Sequence, residues 1–220
     1  MSFEVRATRR LGTVGVDVDY RTGSGLTALV GPSGVGKSTV LNMIAGLLRP
    51  DQGRIVVGGE VLFDAAAGID VPANRRRLGY VFQDARLFPH LSVRDNLLFG
   101  RRVAAGGASG PEFDEIVAVL GVEDLLQRRP AGLSGGEARR VAIGRALLSH
   151  PAALLMDEPL AGVDPDRREG ILGVIEQLRD RLGLPILYVT HDRSEVERLA
   201  GQVVEMTVRT GAGGRLREIP

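Results

Sequence analysis

The chain has no cysteine and no tryptophan, and only 4% of its 220 residues are aromatic. Without thiols there are no disulfides and no thiolate metal sites, which fits a reducing compartment. Net charge is nearly absent too, with 28 Lys+Arg against 27 Asp+Glu. No global field therefore recruits nucleic acid or an anionic membrane. No apolar run reaches the roughly 20 residues that a bilayer span needs, so any membrane role must come through a partner. Met1 to Tyr20 includes Arg6, Arg9 and Arg10 and no long apolar core, so no signal peptide is expected there. The densest basic run, Arg75-Arg76-Arg77, reads as a solvated surface turn.

What is present is an ordinary globular composition, 44% hydrophobic, enough for a sizeable core at this length. Its most informative stretch is Gly31-Pro32-Ser33-Gly34-Val35-Gly36-Lys37-Ser38-Thr39, which fits G-x-x-x-x-G-K-[ST] at every required position. The apolar run Leu26 to Val30 before it has buried-strand character, and Val40 to Leu48 after it is apolar at helical spacing. In that context the glycines turn the backbone so that its N–H groups face an anion, and the new helix presents its positive end to the same place. Lys37 supplies a point charge for β- and γ-phosphates. Ser38 supplies a hydroxyl ligand for Mg²⁺. The expected ligand is a nucleoside triphosphate.

The remaining periodicities predict an α/β chain. Phe3 to Val5, Gly15 to Val18 and Arg54 to Phe63 have strand character and make an antiparallel layer. Leu78 to Phe82, Ala153 to Met156, Ile186 to Thr190 and Val203 to Val208 are further strands, with a helical run over Arg168 to Leu182. Glu112 to Leu120 and Gly136 to Ser149 are helical in period, and Ala104 to Pro111 is a small-residue linker. The predicted architecture is a phosphate-loop, RecA-like core with a mostly parallel sheet, an N-terminal antiparallel β layer and an inserted α-helical subdomain. The expected divisions are 1–84 and 151–220 for the core and 85–150 for the insert.

The strand ending at Met156 runs straight into Asp157 and Glu158, where buried charge is costly without a cation or a reacting water. Asp157 is the candidate metal ligand, and Glu158 the candidate that polarises the attacking water. His191 directly follows the strand Ile186 to Thr190 and can reach the same crevice, towards the γ-phosphate. Gln83 ends another strand at its carboxyl side, where ligands bind in open α/β sheets.

Leu133-Ser134-Gly135-Gly136-Glu137 supplies a capping box, Ser134 with Glu137. A capping box does not require two glycines, whereas close backbone approach to an anion does. One chain thus carries two phosphate cradles and one Lys-containing loop. The economical arrangement is two copies facing each other, each completing the other's site.

The phosphate loop, Gln83, Leu133 to Glu137, Leu154 to Pro159, Ala161-Gly162-Val163-Asp164 and His191 resemble, in order and spacing, the nucleotide-binding subunit of ABC transporters. The resemblance covers nearly the whole chain. It implies an ATPase working as a head-to-tail homodimer that sandwiches two MgATP. Ser134 and Gly136, flanked by Gly135 and Glu137, would contact the partner's γ-phosphate. Gln83 would sense Mg²⁺ and the attacking water, and Asp164 would cross the interface. Implied too are transmembrane permease subunits, indirectly a solute-binding protein, and a peripheral place on the cytoplasmic face of the inner membrane. The stretch from Leu62 to Asn74 and on to Leu97 looks most like the ATPase subunit of molybdate importers. Leu87, Phe88 and Pro89 are then a candidate socket for a permease helix. Arg139 stands where the family often has glutamine, and Gly201-Gln202 replaces an Asp-Arg pair. Neither departure is expected to touch the phosphate chemistry. The family commonly stacks adenine on an aromatic ring upstream of the phosphate loop, but Glu4 to Asp19 contains no Phe, Tyr, Trp or His. Arg9 and Arg10 are the candidates to replace it.

Two other classes are weighed against this one. One is a soluble, non-transport ABC-type ATPase acting on chromosomes or ribosomes; its chromosome type would show sustained heptads, and none occur. A phosphate-loop kinase would not need the second cradle, and a GTPase would show a guanine-reading Asn-Lys-x-Asp run, which is absent.

Overall fold

In the computed structural model, which describes residues 2–12, 14–103, 112–163, 165–208 and 214–219, the chain opens with the antiparallel pair β1 (Phe3–Leu11) and β2 (Val14–Arg21). Phe3, Val5 and Ala7 of β1 are buried while Arg6 between them is exposed, the alternation of a sheet with one wet face. Then come β3 (Leu26–Val30), α1 (Lys37–Ala45), β4 (Gln52–Val57), β5 (Glu60–Asp64), β6 (Ile69–Asp70) and β7 (Leu78–Val81). The insert supplies α2 (Val93–Val103), α3 (Phe113–Leu120) and α4 (Gly135–Leu147). After it follow β8 (Ala153–Asp157), α5 (Pro165–Leu182), β9 (Ile186–Val189), α6 (Arg193–Leu199), β10 (Gln202–Val208) and β11 (Gly214–Ile219). The linker expected over Ala104 to Pro111 lies outside the described residues.

All the strands among the described residues join one 11-stranded sheet in the order β6-β5-β4-β1-β2-β11-β10-β3-β9-β8-β7. From β10 to β7 every pairing is parallel, whereas β1, β2, β4, β5 and β6 pair antiparallel among themselves, and β11 joins the two parts by pairing parallel to β2 and antiparallel to β10. The expected parallel core and antiparallel layer are both there, hydrogen-bonded edge to edge. β8 and β9 are buried at every residue, as parallel strands covered on both faces require. Parallel strands share a direction, so β3, β7, β8 and β9 deliver Gly31, Phe82, Glu158 and Thr190 to one edge of the sheet.

Two apolar clusters hold this together. Phe3, Val18 and Ile55 of the antiparallel strands pack with Val40 and Ile44 of α1. Leu97, Ile116 and Val141 of the insert pack with Leu154, Met156 and Tyr188 of the core strands. The insert therefore shares its core with the strands that carry the acids.

The run Arg75-Arg76-Arg77 is not simply a solvated turn. Arg76 is 2% exposed and donates Nη1 to the Met43 and Ile44 carbonyls, both at 2.8 Å, and Nε to the Val71 carbonyl at 2.7 Å. Its Nη2 bonds Asp70 at 3.2 Å. The last turn of a helix leaves carbonyls short of donors, and Nη1 meets two of them in α1, Ile44 and Met43, the latter also accepting from Gly46 N at 3.2 Å. Local charge density does not reveal a carbonyl 33 residues back in the chain.

Candidate functional site

β3 ends where the loop must turn inward over the sheet. A Cβ on Gly31 (φ +148°) would fall against the Met206 carbonyl oxygen, and one on Gly36 (φ +108°) would stand 2.6 Å from Val16 Cγ2. Only glycine fits either position. Lys37 begins α1, is 6% exposed, and donates Nζ to the Gly31 and Pro32 carbonyls at 2.8 and 3.0 Å. An ammonium has three donors, so one remains for a ligand. Lys37 is also the only lysine in the sequence.

Ser38 Oγ donates to Asp157 Oδ1 at 3.1 Å. This bond ties the loop to the end of β8 across 119 residues of chain. Burial, above all, pushes the Asp157 carboxyl above its ordinary range, and Glu158 beside it adds to the rise. The Tyr80 hydroxyl stands 3.1 Å from Asn42 Oδ1 and 3.5 Å from Asp157 Oδ2. Glu158 takes φ +44°, a left-handed conformation that costs a non-glycine residue free energy and is concentrated at functional sites. Its carboxylate Oε1 lies 3.4 Å from His191 Nδ1.

His191 is bracketed on both sides. Thr190 Oγ1 donates to Glu195 Oε2 at 2.6 Å, and Arg168 donates to Glu195 Oε1 at 2.7 Å and pairs with Asp192 at 2.9 Å. Glu195 is buried and also accepts from the Tyr188 hydroxyl at 2.8 Å. Sequence reasoning passed over Glu195 and Arg168. The D-x-x-E spacing of Asp192 and Glu195 is the legible signal, because it opens a helix, and Asp192 does cap α6 by accepting from Ser194 N at 2.9 Å.

Gly31, Pro32, Ser33, Lys37, Glu158 and His191 line a cavity of about 790 Å³ that continues over α6 and β10. Gln83 does not line it. Its side chain is exposed and borders a smaller hollow of about 360 Å³ with Gly135, Arg139, Ala161 and Gly162. Ser134 to Glu137 are absent from the lysine-bearing cavity as well. Ser134 does cap α4, accepting from Glu137 N at 3.3 Å while its own N–H donates to Glu137 Oε2 at 2.6 Å. The Gly135 face is open, with nothing within 4 Å of where a Cβ would stand. Asp164 lies outside the described residues.

The family model described as ABC transporter matches residues 15–161. The chain is 56% identical over 206 residues to the molybdenum import ATP-binding protein ModC of Rhizobium johnstonii, and 54% over 206 residues to that of Rhizobium meliloti, in each case 94% of this chain and 58% of the relative. Against the protein of that name from Paramagnetospirillum magneticum the identity is 56%, over 90% of this chain and 54% of the relative. The chain thus spans a little over half the length of these curated relatives. Among solved structures, a dimeric ATP-binding cassette in a post-hydrolysis state bound to ADP and Pi is similar at 26% identity and TM-score 0.75, covering 100% of this chain and 98% of that one. A dimeric bacterial ABC transporter cassette is similar at TM-score 0.76, also at 26% identity. With the phosphate loop, the paired acids and the capped second cradle standing in one fold, the chain belongs to the ABC transporter family.

Proposed function

We propose that this chain is the ATP-hydrolysing subunit of an importer for molybdate or a related oxyanion, acting on a separate membrane permease. One observation carries the ATPase reading: the only lysine, a hydroxyl bonded to a desolvated acid, and a strained glutamate against a histidine converge at one sheet edge. The oxyanion rests on the similarity to the molybdenum import proteins.

Each residue then has a task. The Gly31 to Thr39 backbone, with Lys37, holds the β- and γ-phosphates. Ser38 and Asp157 offer hard oxygen donors 3.1 Å apart, the donor type that Mg²⁺ takes, so these two residues fit that ion, and Gln83 would join them only by moving in from the separate hollow that it borders. Bound there, Mg²⁺ would neutralise charge on the phosphates. Glu158 accepts the proton of the attacking water at its carboxylate. His191, whose chain neighbours Thr190 and Asp192 are anchored to Glu195 and Arg168, keeps that carboxylate in place and faces the γ-phosphate. Ser134, Gly135, Gly136 and Glu137 serve the ATP of a second copy, because they line no part of the cavity that contains their own chain's lysine. Asp164 crosses between the copies. The half-buried Phe88, 4.3 Å from the partly exposed ring of Phe99, forms the patch for a permease helix, at the cytoplasmic face of the membrane. No described helix is long and apolar enough to cross a membrane.

The test uses the purified chain. An acyl-phosphate derivative of ATP should label Lys37, and excess ATP should protect it. Mixing Lys37→Ala with Ser134→Arg subunits should give heterodimers with at most one intact composite site and partial hydrolysis, while each variant alone is inactive. Hydrolysis indifferent to Lys37→Ala overturns the ATPase reading. A copurified permease complex stimulated by sugars or amino acids but not by oxyanions overturns the solute.

A further inference from the structure

Gln83 sits between two arginine grips, both from α4. Arg139 Nη1 donates to the Phe82 carbonyl at 2.6 Å. Arg145 Nη1 and Nη2 donate to the Arg86 and Ala85 carbonyls at 2.8 and 3.1 Å. The fixed fork of a guanidinium allows one side chain to serve two carbonyls, which an ammonium does not do with the same geometry. The six-residue spacing on one helix sets the grips about 9 Å apart along its axis. Between them Gln83 and Asp84 expose their side chains, so the grips and the packing of Phe82 hold the segment.

Phe82 leads further. Its ring stacks on Tyr80 with centroids 4.0 Å apart, and the Arg86 guanidinium lies over it at 4.2 Å from its centroid. The Tyr80 hydroxyl is the group that stands 3.5 Å from Asp157. A contact path thus runs from α4, the helix that Ser134 caps, to the acid that bonds Ser38.

Arg139 is a poor device for stability alone. It is 6% exposed and its Nε is buried without a partner. An apolar side chain of similar volume would avoid that desolvation.

We propose that Arg139 and Arg145 are positioning residues, through which α4 sets where Gln83 stands relative to the Ser38 and Asp157 pair. A displacement of the Ser134 end of α4 is then delivered to the Gln83 segment by main-chain bonds. This rests on the ATPase reading given above.

The test compares Arg139→Met, Arg139→Lys, Arg145→Met, Gln83→Ala and the Arg139→Met/Gln83→Ala double variant in the full chain. Arg139→Met and Arg145→Met should each lower kcat about tenfold with the KM for ATP within about twofold, and Arg139→Lys should recover most of the loss. In the Gln83→Ala background Arg139→Met should add nothing further, because both act through one group. Tryptic cleavage after the exposed Arg86 should quicken in both methionine variants, a readout independent of turnover. Wild-type kcat and wild-type tryptic rate in both variants overturn the proposal. Losses that multiply in the double variant also overturn it, since they assign Arg139 to general stability. If the wild-type chain hydrolyses no ATP, the ATPase reading fails, while the tryptic rates still decide whether the grips hold the segment.

Discussion

Glu158 Oε1 faces His191 Nδ1 at 3.4 Å, and the two arrive there from the ends of neighbouring parallel strands, β8 and β9. Glu158 N donates to the Val189 carbonyl at 3.0 Å, so the ladder that aligns the strands also fixes the acid's backbone. Removing only the proton-accepting ability of this carboxylate should leave the scaffold intact. Glu158→Gln is therefore expected to bind ATP and Mg²⁺ normally while turnover falls on the order of 100-fold, the usual scale for losing a catalytic base. Light scattering should then show an ATP-dependent dimer. Near-normal hydrolysis by the variant would remove Glu158 from the mechanism.

Arg76 gives a prediction about stability. Its guanidinium caps α1 through the Met43 and Ile44 carbonyls and fills the space beside Gly46. Arg76→Met leaves the buried Ile44 carbonyl without its donor and the Met43 carbonyl with only the Gly46 N–H, which should cost about 2 kcal/mol, and Arg76→Lys should recover only part because an ammonium cannot span Val71, the α1 carbonyls and Asp70 at once. Urea denaturation of the three proteins checks this. A methionine variant as stable as wild type would mean that water or backbone adjustment satisfies the helix end.

How much of this was legible follows from where the information sits. The phosphate loop, the acids after β8 and His191 after β9 are local: a motif or a strand end announces each. The Ser134 and Glu137 pair is local as well, and its capping box formed. Arg139, Arg145, Glu195 and Arg76 are different, because only tertiary packing brings near the carbonyls to which the three arginines donate and the Arg168 from which Glu195 accepts. Arg139 reads in sequence as a departure without consequence. In the structure it grips the carbonyl preceding Gln83, 57 residues away. β1 and β2 also run longer than the sequence predicts, since the exposed Arg6 and Arg10 of β1 dilute its apolar signal.

Asp157 predicts a pH dependence. Burial, the largest cause, raises its pKa in the folded chain, so the folded state holds that proton to higher pH than the unfolded state. The contribution is fully present below the unfolded value of about 3.9 and is lost as pH rises through the raised folded value. Asp157→Asn should remove that loss. Without nucleotide or Mg²⁺, the variant should melt on the order of 2 °C above wild type at neutral pH and level with it near pH 4, by calorimetry. A variant that melts lower at neutral pH would show that the ionised carboxylate is better satisfied than its burial implies.

The last prediction concerns the base of the nucleotide. Arg9 and Arg10 are the sequence's candidates to replace the missing aromatic ring, and the structure separates them. Arg9 Nη1 is held by Asp51 Oδ1 at 2.6 Å, with the Arg10 amide on Oδ2 at 2.8 Å, so the Arg9 guanidinium is already engaged. The first ring after the stretch, Tyr20, is 2% exposed and belongs to the core. Of the two arginines, Arg10, whose side chain is exposed, is the one left to lie on a base, and a guanidinium plane holds any purine face without reading its edge. Affinity should then rest on the phosphates and Mg²⁺, which ATP and GTP share. Discrimination between them is expected to stay under about tenfold, or about 1.4 kcal/mol. Competition binding at equal Mg²⁺ measures it, and a hundredfold preference for ATP would demand an edge-specific contact from residues other than these.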